Sequence, residues 1–150
     1  MAKVIVSMSG GKDSTATALL AIERNVDPMM AFSDTGHEHQ STYDYVNYLE
    51  EKLGIKIHWC KADFSKDIER KRTVVETKWR KDGISEDKIE RALAVLKPTG
   101  NPFLDMCLWK GRFPSTMARF CTENLKILPF NEQVLFPAIK EYGQVETWVG

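Results

Sequence analysis

Two adjacent glycines at the junction of two hydrophobic patterns constrain this chain more than any other feature. The apolar run at residues 4–8 predicts a buried strand, and apolar residues recurring on one face predict a helix over 12–24. Between them stands Ser-Gly-Gly-Lys-Asp-Ser, at positions 9–14. Gly10 and Gly11 permit a tight turn and let main-chain N–H groups approach an anion closely. The junction therefore predicts a strand–turn–helix unit with an anion site at the helix N-terminus.

The side chains of this loop suit a phosphate ligand. The serines offer hydroxyl donors and the lysine offers a compact cation. The spacing matches neither the Walker A pattern, which requires GxxxxGK[ST], nor the GxGxxG dinucleotide pattern. The alternative interpretation is a glycine-rich turn in which Ser14 only caps the helix. The predicted phosphate-binding residues are Ser9, Gly10, Gly11, Lys12, Asp13 and Ser14.

Strand and helix patterns alternate along the first part of the chain. Residues 29–33 and 56–60 predict strands, and residues 40–53 predict a helix that Gly54 ends. Such alternation is typical of parallel βαβ units with right-handed crossovers. The predicted fold class is α/β, with a doubly wound, mainly parallel sheet and helices on both faces.

The second part is predicted to be mostly helical. Proline and glycine residues favour a loop between residues 97 and 114. The other predicted elements are helices over 65–81 and 85–96, a helix that starts near Cys121, a helix over 131–142 and a last strand over 145–149.

Length and composition fit one soluble domain. The chain has 150 residues, 43% of them hydrophobic, and a formal net charge of zero. No apolar run approaches the roughly 20 residues of a bilayer span, and the first apolar run is too short for a signal peptide. We expect a cytoplasmic protein with no membrane partner. We expect one nucleotide-binding domain over residues 1–150, either truncated after its last strand or lacking a tail.

The loop at residues 9–14 resembles the PP-loop of the ATP pyrophosphatase superfamily. That superfamily includes sulfonucleotide reductases, ATP sulfurylase small subunits, and tRNA thiolation and amidotransferase enzymes. The resemblance implies an adenine nucleotide alpha-hydrolase-like fold. It also implies that the loop holds the distal phosphates or pyrophosphate of ATP, or the phosphosulfate group of a sulfonucleotide.

A second segment, Phe-Ser-Asp-Thr-Gly at the end of the second predicted strand, is similar to a segment of the phosphoadenosine phosphosulfate (PAPS) reductase family. Under this resemblance Ser33 meets the adenine edge, and Asp34 meets a ribose hydroxyl or a metal ion. The alternative is an Asx-type turn that Gly36 closes. The predicted nucleoside-binding residues are Ser33, Asp34, Thr35 and Gly36.

A third segment, residues 110–129, resembles the part of PAPS-reductase-like proteins in which a cysteine precedes a Leu-Lys-x-x-Pro element. Arginine suits bidentate phosphate contact, so basic residues here are predicted to neutralise ligand charge. The alternative is a solvated basic loop. The predicted charge-neutralising residues are Arg112, Arg119 and Lys126.

The cysteines set this chain apart from the iron–sulfur reductases of that family. Those enzymes carry a Cys-Cys pair in this segment, a later CxxC, and a nucleophilic cysteine on a C-terminal tail. This chain has Cys60, Cys107 and Cys121 and no CxxC, so it does not support an iron–sulfur cluster. Sulfonate reduction requires a thiolate that attacks sulfur. Cys121 is therefore the candidate nucleophile. Lys12 of the glycine loop is the other candidate catalytic residue.

These resemblances imply an enzyme of sulfur metabolism, an oxidoreductase or a transferase. It would bind ATP, PAPS or adenylyl sulfate and act at the phosphosulfate or the α–β phosphate linkage. If ATP is the substrate, Mg²⁺ is expected, with Asp13 or Asp34 as ligands. A thioredoxin-like reductant or a nucleic-acid acceptor is the expected partner. The alternative is a non-catalytic nucleotide-binding module of a sulfur or nucleic-acid modification system.

The histidine segment at residues 37–39 and the basic segment at residues 70–81 each have two interpretations. His37 and His39 flank Glu38, and the two histidines either ligate a metal or lie in a solvated loop, in which His37 or Glu38 is the candidate contact for the substrate. The basic residues between positions 70 and 81 either form a solvated helix surface or contact an acidic partner such as a thioredoxin-like protein or a nucleic acid.

Overall fold

A four-stranded parallel sheet forms the centre of the computed structural model, which describes residues 2–150. Its strand order is β3-β2-β1-β4, and Ile5 of β1 pairs with Met29 of β2 and with Thr147 of β4. The predicted α/β fold class with a parallel sheet is confirmed. The strands are β1 (Lys3–Met8), β2 (Met29–Asp34), β3 (Ile57–Lys61) and β4 (Val145–Val149).

Helices make up most of the remaining described chain. The α-helices are α1 (Lys12–Glu23), α2 (Gln40–Leu53), α3 (Ser65–Val74), α4 (Glu86–Val95), α5 (Pro102–Lys110), α6 (Phe120–Thr122), α7 (Leu128–Phe130) and α8 (Phe136–Tyr142). The π-helical segments are Val75–Trp79, Glu123–Ile127 and Asn131–Leu135.

The sheet is covered on both faces, as the apolar character of its strands requires. On one face, Val6 packs with Ala18 of α1 and Val46 of α2. On the other face, Ile5 packs with Ala138 of α8. Because successive side chains of a strand point to opposite faces, one short apolar strand supplies both cores.

The prediction of a loop over residues 97–114 is wrong, because α5 lies within it. The Asn101 side chain accepts a hydrogen bond from the Leu104 N–H, Pro102 occupies the first turn, and Gly111 ends the helix at φ +70°. A cap, an N-terminal proline and a C-terminal glycine are the signals of a short helix. Proline and glycine also break helices, which is why the sequence alone favours a loop in this segment.

The two helices predicted after Arg119 are one continuous helical run over residues 120–142. Two prolines inside it, Pro129 and Pro137, cannot bond the carbonyl groups four residues earlier. Those carbonyl groups belong to Leu125 and Gln133, and each lies in a π-helical segment. The wider turns therefore coincide with the missing bonds, which lets the run continue past both prolines.

A helix that spans a bilayer needs roughly 20 mainly apolar residues. Among the helices formed by residues 2–150, none is both long enough and apolar enough to cross a membrane.

Candidate functional site

A cleft of about 270 Å³ lies at the carboxyl ends of β1, β2 and β4. The crossover from β1 leads to β2 on one side, whereas β4 pairs with β1 on the other side. Parallel α/β sheets bind ligands at such a switch point. The polar residues that line the cleft are Ser7, Ser9, Ser33, Glu38, Lys126, Asn131 and Thr147.

Ser9, the first residue of the glycine loop, lines this cleft, and the loop leads into α1. Gly10 has φ +76°, and a Cβ atom at this position would lie 2.9 Å from Cγ2 of Thr42. Gly11 is the N-cap of α1, and no side chain caps this helix. The first-turn N–H groups have no partner inside a helix, so they are available to an anion.

Ser14 is a supporting residue of the loop. Only 1% of it is exposed. Its Oγ accepts hydrogen bonds from the N–H and the hydroxyl of Ser9, both at 3.1 Å, and donates to the Gly11 carbonyl at 3.1 Å. The Ser14 hydroxyl proton is therefore used inside the loop, while Ser9 remains on the cleft wall. A direct bond from Ser14 to phosphate stays a prediction.

Lys12 and Asp13 are the first two residues of α1, and both are exposed. Lys12 forms no ion pair with any residue in the described range. Its ammonium group is consequently free to turn towards an anion bound at the helix N-terminus.

The segment after β2 forms the Asx-type turn that the sequence left open as an alternative. Oδ1 of Asp34 accepts hydrogen bonds from the Gly36 N–H and from the Tyr43 hydroxyl, both at 2.9 Å. Burial raises the pKa of Tyr43, and the bond to Asp34 raises it further. Thr35 is buried, and its hydroxyl donates to Glu38 at 3.1 Å. Asp34 and Thr35 therefore shape the turn, and Ser33 lines the cleft.

Gly36 allows α5 to approach this turn. It has φ +72°, and a Cβ atom on it would lie 2.6 Å from Cδ of Pro102. The Phe103 N–H donates to the Thr35 carbonyl at 3.0 Å. The turn thus joins the end of β2 to the helical region that contains α5.

A comparison with known protein families shows to which family this chain belongs. The model of the phosphoadenosine phosphosulfate reductase domain matches residues 3–150. The chain belongs to this family. It is thereby also a member of the PP-loop ATP pyrophosphatase superfamily, as the glycine loop indicated.

A relative of this PAPS reductase family member comes from Escherichia phage 186, where it is described as an uncharacterized 37.8 kDa protein in the gpa 5′ region. The two are 48% identical over 155 residues, which cover 97% of this chain and 46% of the phage protein. The chain therefore spans less than half the length of that relative.

The family member does not bring its three predicted charge-neutralising residues to one site. Lys126 lines the same cleft as Ser9 of the glycine loop. Arg112 lines a different groove, with its guanidinium carbon 5.3 Å from the ring centroid of Phe120. Arg119 is exposed and immediately precedes α6. Of the three, Lys126 alone borders the cleft in the described structure.

Sequence reasoning missed three polar residues of the cleft, Ser7, Asn131 and Thr147. Asn131 comes from a π-helical segment, and Thr147 comes from the last strand. Neither lies in a motif, because each reaches the cleft through the packing of distant elements. Glu38, which the sequence offered with His37 as a substrate contact, does line the cleft.

The cysteines lie away from the cleft. Cys60 is fully buried in β3, and burial raises its pKa to about 11. Burial raises the pKa of Cys107, and the proximity of Cys121 raises it further. Cys121 packs against the cluster that contains Met106 and Leu125. No cysteine of the described chain lines the cleft, so the catalytic role predicted for Cys121 remains a prediction without local support.

The histidines and carboxylates form no metal centre by themselves. His39 caps α2, and His37 stacks on Phe103 with 4.4 Å between ring centroids. Within residues 2–150, no group of three or more His, Cys, Asp or Glu side chains could hold a metal ion. Asp13 and Asp34 do not line the cleft, and Asp34 already accepts two hydrogen bonds.

Proposed function

We propose that this domain binds an adenine nucleotide in the cleft at the ends of β1, β2 and β4, with its phosphate or phosphosulfate end on the glycine loop. The observation that carries the proposal is the position of the uncapped N-terminus of α1, with exposed Lys12, beside a cleft that Lys126 also borders. Backbone N–H groups, a helix dipole and two ammonium groups together favour an anion with several charges.

The rest of the cleft suits a nucleoside. Its apolar walls include Phe32 and Phe130, whereas Ser33 and Asn131 supply hydrogen-bonding groups. Apolar walls with a few polar groups are typical of small-molecule sites. A ligand of this kind would lie with its base between the apolar walls and its charged end on the loop.

The proposed reaction is cleavage at the phosphosulfate linkage of PAPS or adenylyl sulfate, or at the α–β linkage of ATP. The residues at the cleft would act by holding the charged group and neutralising its charge rather than by covalent chemistry. If the substrate is ATP, Mg²⁺ would be carried mainly by its phosphates, with Asp13 as the nearest exposed carboxylate of the loop.

Calorimetric titration with ATP, PAPS and adenylyl sulfate tests the binding site. We expect Lys12→Ala to weaken the binding of the tightest of the three ligands by about tenfold or more. The variant removes an ammonium group that forms no ion pair with a described carboxylate. Lys88→Ala is the matched control, since Lys88 is an equally exposed helix lysine on α4. If Lys12→Ala bound all three nucleotides as well as the wild type, the site assignment would be wrong.

A second candidate function is a nucleotide-binding module without catalysis of its own. It is favoured by one observation: none of the three cysteines in the described chain lines the cleft. Sulfonate reduction would then require a thiol from another protein or from another part of a longer one.

Product assays separate the two candidates. Sulfite release from PAPS or adenylyl sulfate, in the presence of a thiol donor, would support a reductase. Pyrophosphate release from ATP would support an adenylating enzyme. Binding with neither product, both with and without added thiol, would support the module.

A further inference from the structure

A second, larger concavity lies away from the nucleotide cleft. We name it the helical groove, a space of about 900 Å³ between the α3 region, α4 and α5. Its floor contains Val75, Trp79, Leu96 and Leu108, which belong to one hydrophobic cluster. The nucleotide proposal uses none of these residues, so the groove has no role in it.

The apolar surface continues from the floor onto the margins of the groove. Val95 is 61% exposed, Leu104 is 43% exposed and Phe113 is 70% exposed. A small molecule that filled only the floor would leave these margins in water. Contiguous apolar surface of this kind marks a macromolecular contact, since its burial is favourable only when a partner covers the whole patch.

The charged residues of the groove all have the same sign. Lys71, Lys110 and Arg112 line it, and no Asp or Glu of the described chain does. None of the three cations forms an ion pair with a described residue. Lys110 lies over the Trp109 ring, with 4.0 Å between Nζ and the ring centroid. An occupant with carboxylates beside its apolar residues would therefore meet complementary charge on this surface.

The floor favours a protein over a nucleic acid. Phosphates would suit the three cations, but bases and sugars would face a mainly aliphatic lining, in which Trp79 and Phe113 are the aromatic residues. Nucleic-acid sites use aromatic stacking platforms and base-edge hydrogen bonds, whereas here Trp79 lies in the floor and Phe113 on the margin, and Thr99 is the one neutral hydroxyl among the lining residues. A trough between helices is instead the shape into which another helix packs.

We infer that the helical groove is a docking site for an acidic amphipathic helix of a protein partner. The apolar face of that helix would cover the floor and the margins formed by Val95 and Leu104. Its flanking carboxylates would pair with Lys71, Lys110 and Arg112. The inference does not depend on the nucleotide proposal, because the two surfaces share no lining residue.

A displayed library of helical peptides, about 16 residues long, tests this inference on the whole chain. The library fixes leucine on one face and varies the flanking positions among Glu, Gln and Lys. We expect selection to enrich Glu at the flanks. The most enriched peptide, labelled with fluorescein, should bind wild type in an anisotropy titration and lose at least about tenfold in affinity for Val95→Glu.

Two variants complete the design. Leu19→Glu is the matched control, because Leu19 is 51% exposed on α1 and does not line the groove. It should bind the peptide within about twofold of wild type. Lys71→Glu should shift selection from Glu towards Lys at the flanks. Circular dichroism verifies that each variant keeps its helical content.

Four results would overturn the inference. They are no enrichment, enrichment of neutral or basic flanks, equal binding by Val95→Glu, and equal loss in Leu19→Glu. Tighter binding of a single-stranded oligonucleotide that displaces the peptide would assign the groove to nucleic acid instead. A dimer seen by sedimentation that Val95→Glu abolishes would assign it to a second copy of this chain.

Discussion

The side-chain amide of Asn101 donates a hydrogen bond to the main-chain carbonyl oxygen of Gly36 at 2.7 Å. The same side chain accepts from the Leu104 N–H at 3.1 Å and so caps α5. One residue therefore holds the start of a helix against the turn that ends β2. The turn directly follows Ser33, which lines the cleft at the ends of β1, β2 and β4.

Gly36→Ala is expected to destabilise the domain more than an alanine at another positive-φ glycine. A Cβ atom at Gly36 would meet Pro102 at 2.6 Å, whereas nothing lies within 4 Å of one at Gly54, which has φ +63°. In both variants the alanine is strained because φ is positive at that position. Gly36→Ala adds an overpacking cost of about 1–3 kcal/mol. Urea denaturation of the two variants measures this difference. If the two variants lost equal free energy of unfolding, α5 would be free to move away from the Cβ atom at residue 36.

Ser14→Ala is expected to lower the free energy of unfolding by about 0.5–1.5 kcal/mol. It removes the buried hydroxyl that accepts from the Ser9 N–H, whereas the Gly11 carbonyl keeps its bonds from the N–H and the hydroxyl of Thr15. Thr17→Ala is the control, because Thr17 also bonds a main-chain carbonyl, that of Asp13, but in an exposed setting. Thermal denaturation compares them, and a Ser14 variant as stable as the control would refute the supporting role.

Asp34→Asn separates the structural role of Asp34 from its predicted role in ligand binding. The asparagine oxygen can still accept from Gly36 and Tyr43, so stability should stay within about 0.5 kcal/mol of wild type. A metal ligand would lose its charge, so Mg²⁺-dependent ATP binding would weaken if Asp34 bound the ion. Chemical denaturation and calorimetry with and without Mg²⁺ measure the two effects. If Mg²⁺-dependent ATP binding were unchanged, Asp34 would not be a metal ligand and its role would be limited to the turn.

The first part of the fold could be predicted from the sequence because its signals are local. The apolar run that precedes Ser9, the glycine pair and the αL glycine at Gly54 each act within a few residues. The helix α5 was missed because Pro102 and Gly111 act both as breakers and as helix ends. The composition around them does not say which role applies.

The cleft residues that could be predicted from the sequence, Ser9, Ser33 and Lys126, each lie in a recognisable motif. Ser9 and Ser33 lie on the cleft because each ends or follows a strand, and parallel strands end on the same edge. Asn131 and Thr147 reach the same cleft from elements that lie at least 98 residues after Ser33. Arg112 and Lys126 are near in sequence, yet packing separates them into different concavities. Such placements depend on the tertiary structure rather than on spacing.

Cys60 is expected to make stability fall with alkaline pH. The folded-state pKa is raised from 9.0 to about 11 by burial, so the unfolded thiol loses its proton first as pH rises. The stability is fully present below about pH 9 and declines towards pH 11, by about 1 kcal/mol per pH unit. Denaturation curves of wild type and Cys60→Ala across this range test it. The variant should show a flatter decline, and parallel curves would contradict the prediction.

Lys126→Ala and Arg112→Ala should differ in their effect on nucleotide affinity, although the sequence grouped the two residues. Lys126 lines the cleft beside Ser9, so its loss should weaken the binding of ATP, PAPS or adenylyl sulfate by about tenfold. Arg112 lines the helical groove, so its loss should change nucleotide affinity by less than about twofold. Calorimetric titration in the same buffer and salt measures both, because screening affects exposed charges strongly. Equal losses would mean that the segment around Arg112 folds onto the bound nucleotide, and an effect of Arg112 alone would reverse the assignment of the two cations.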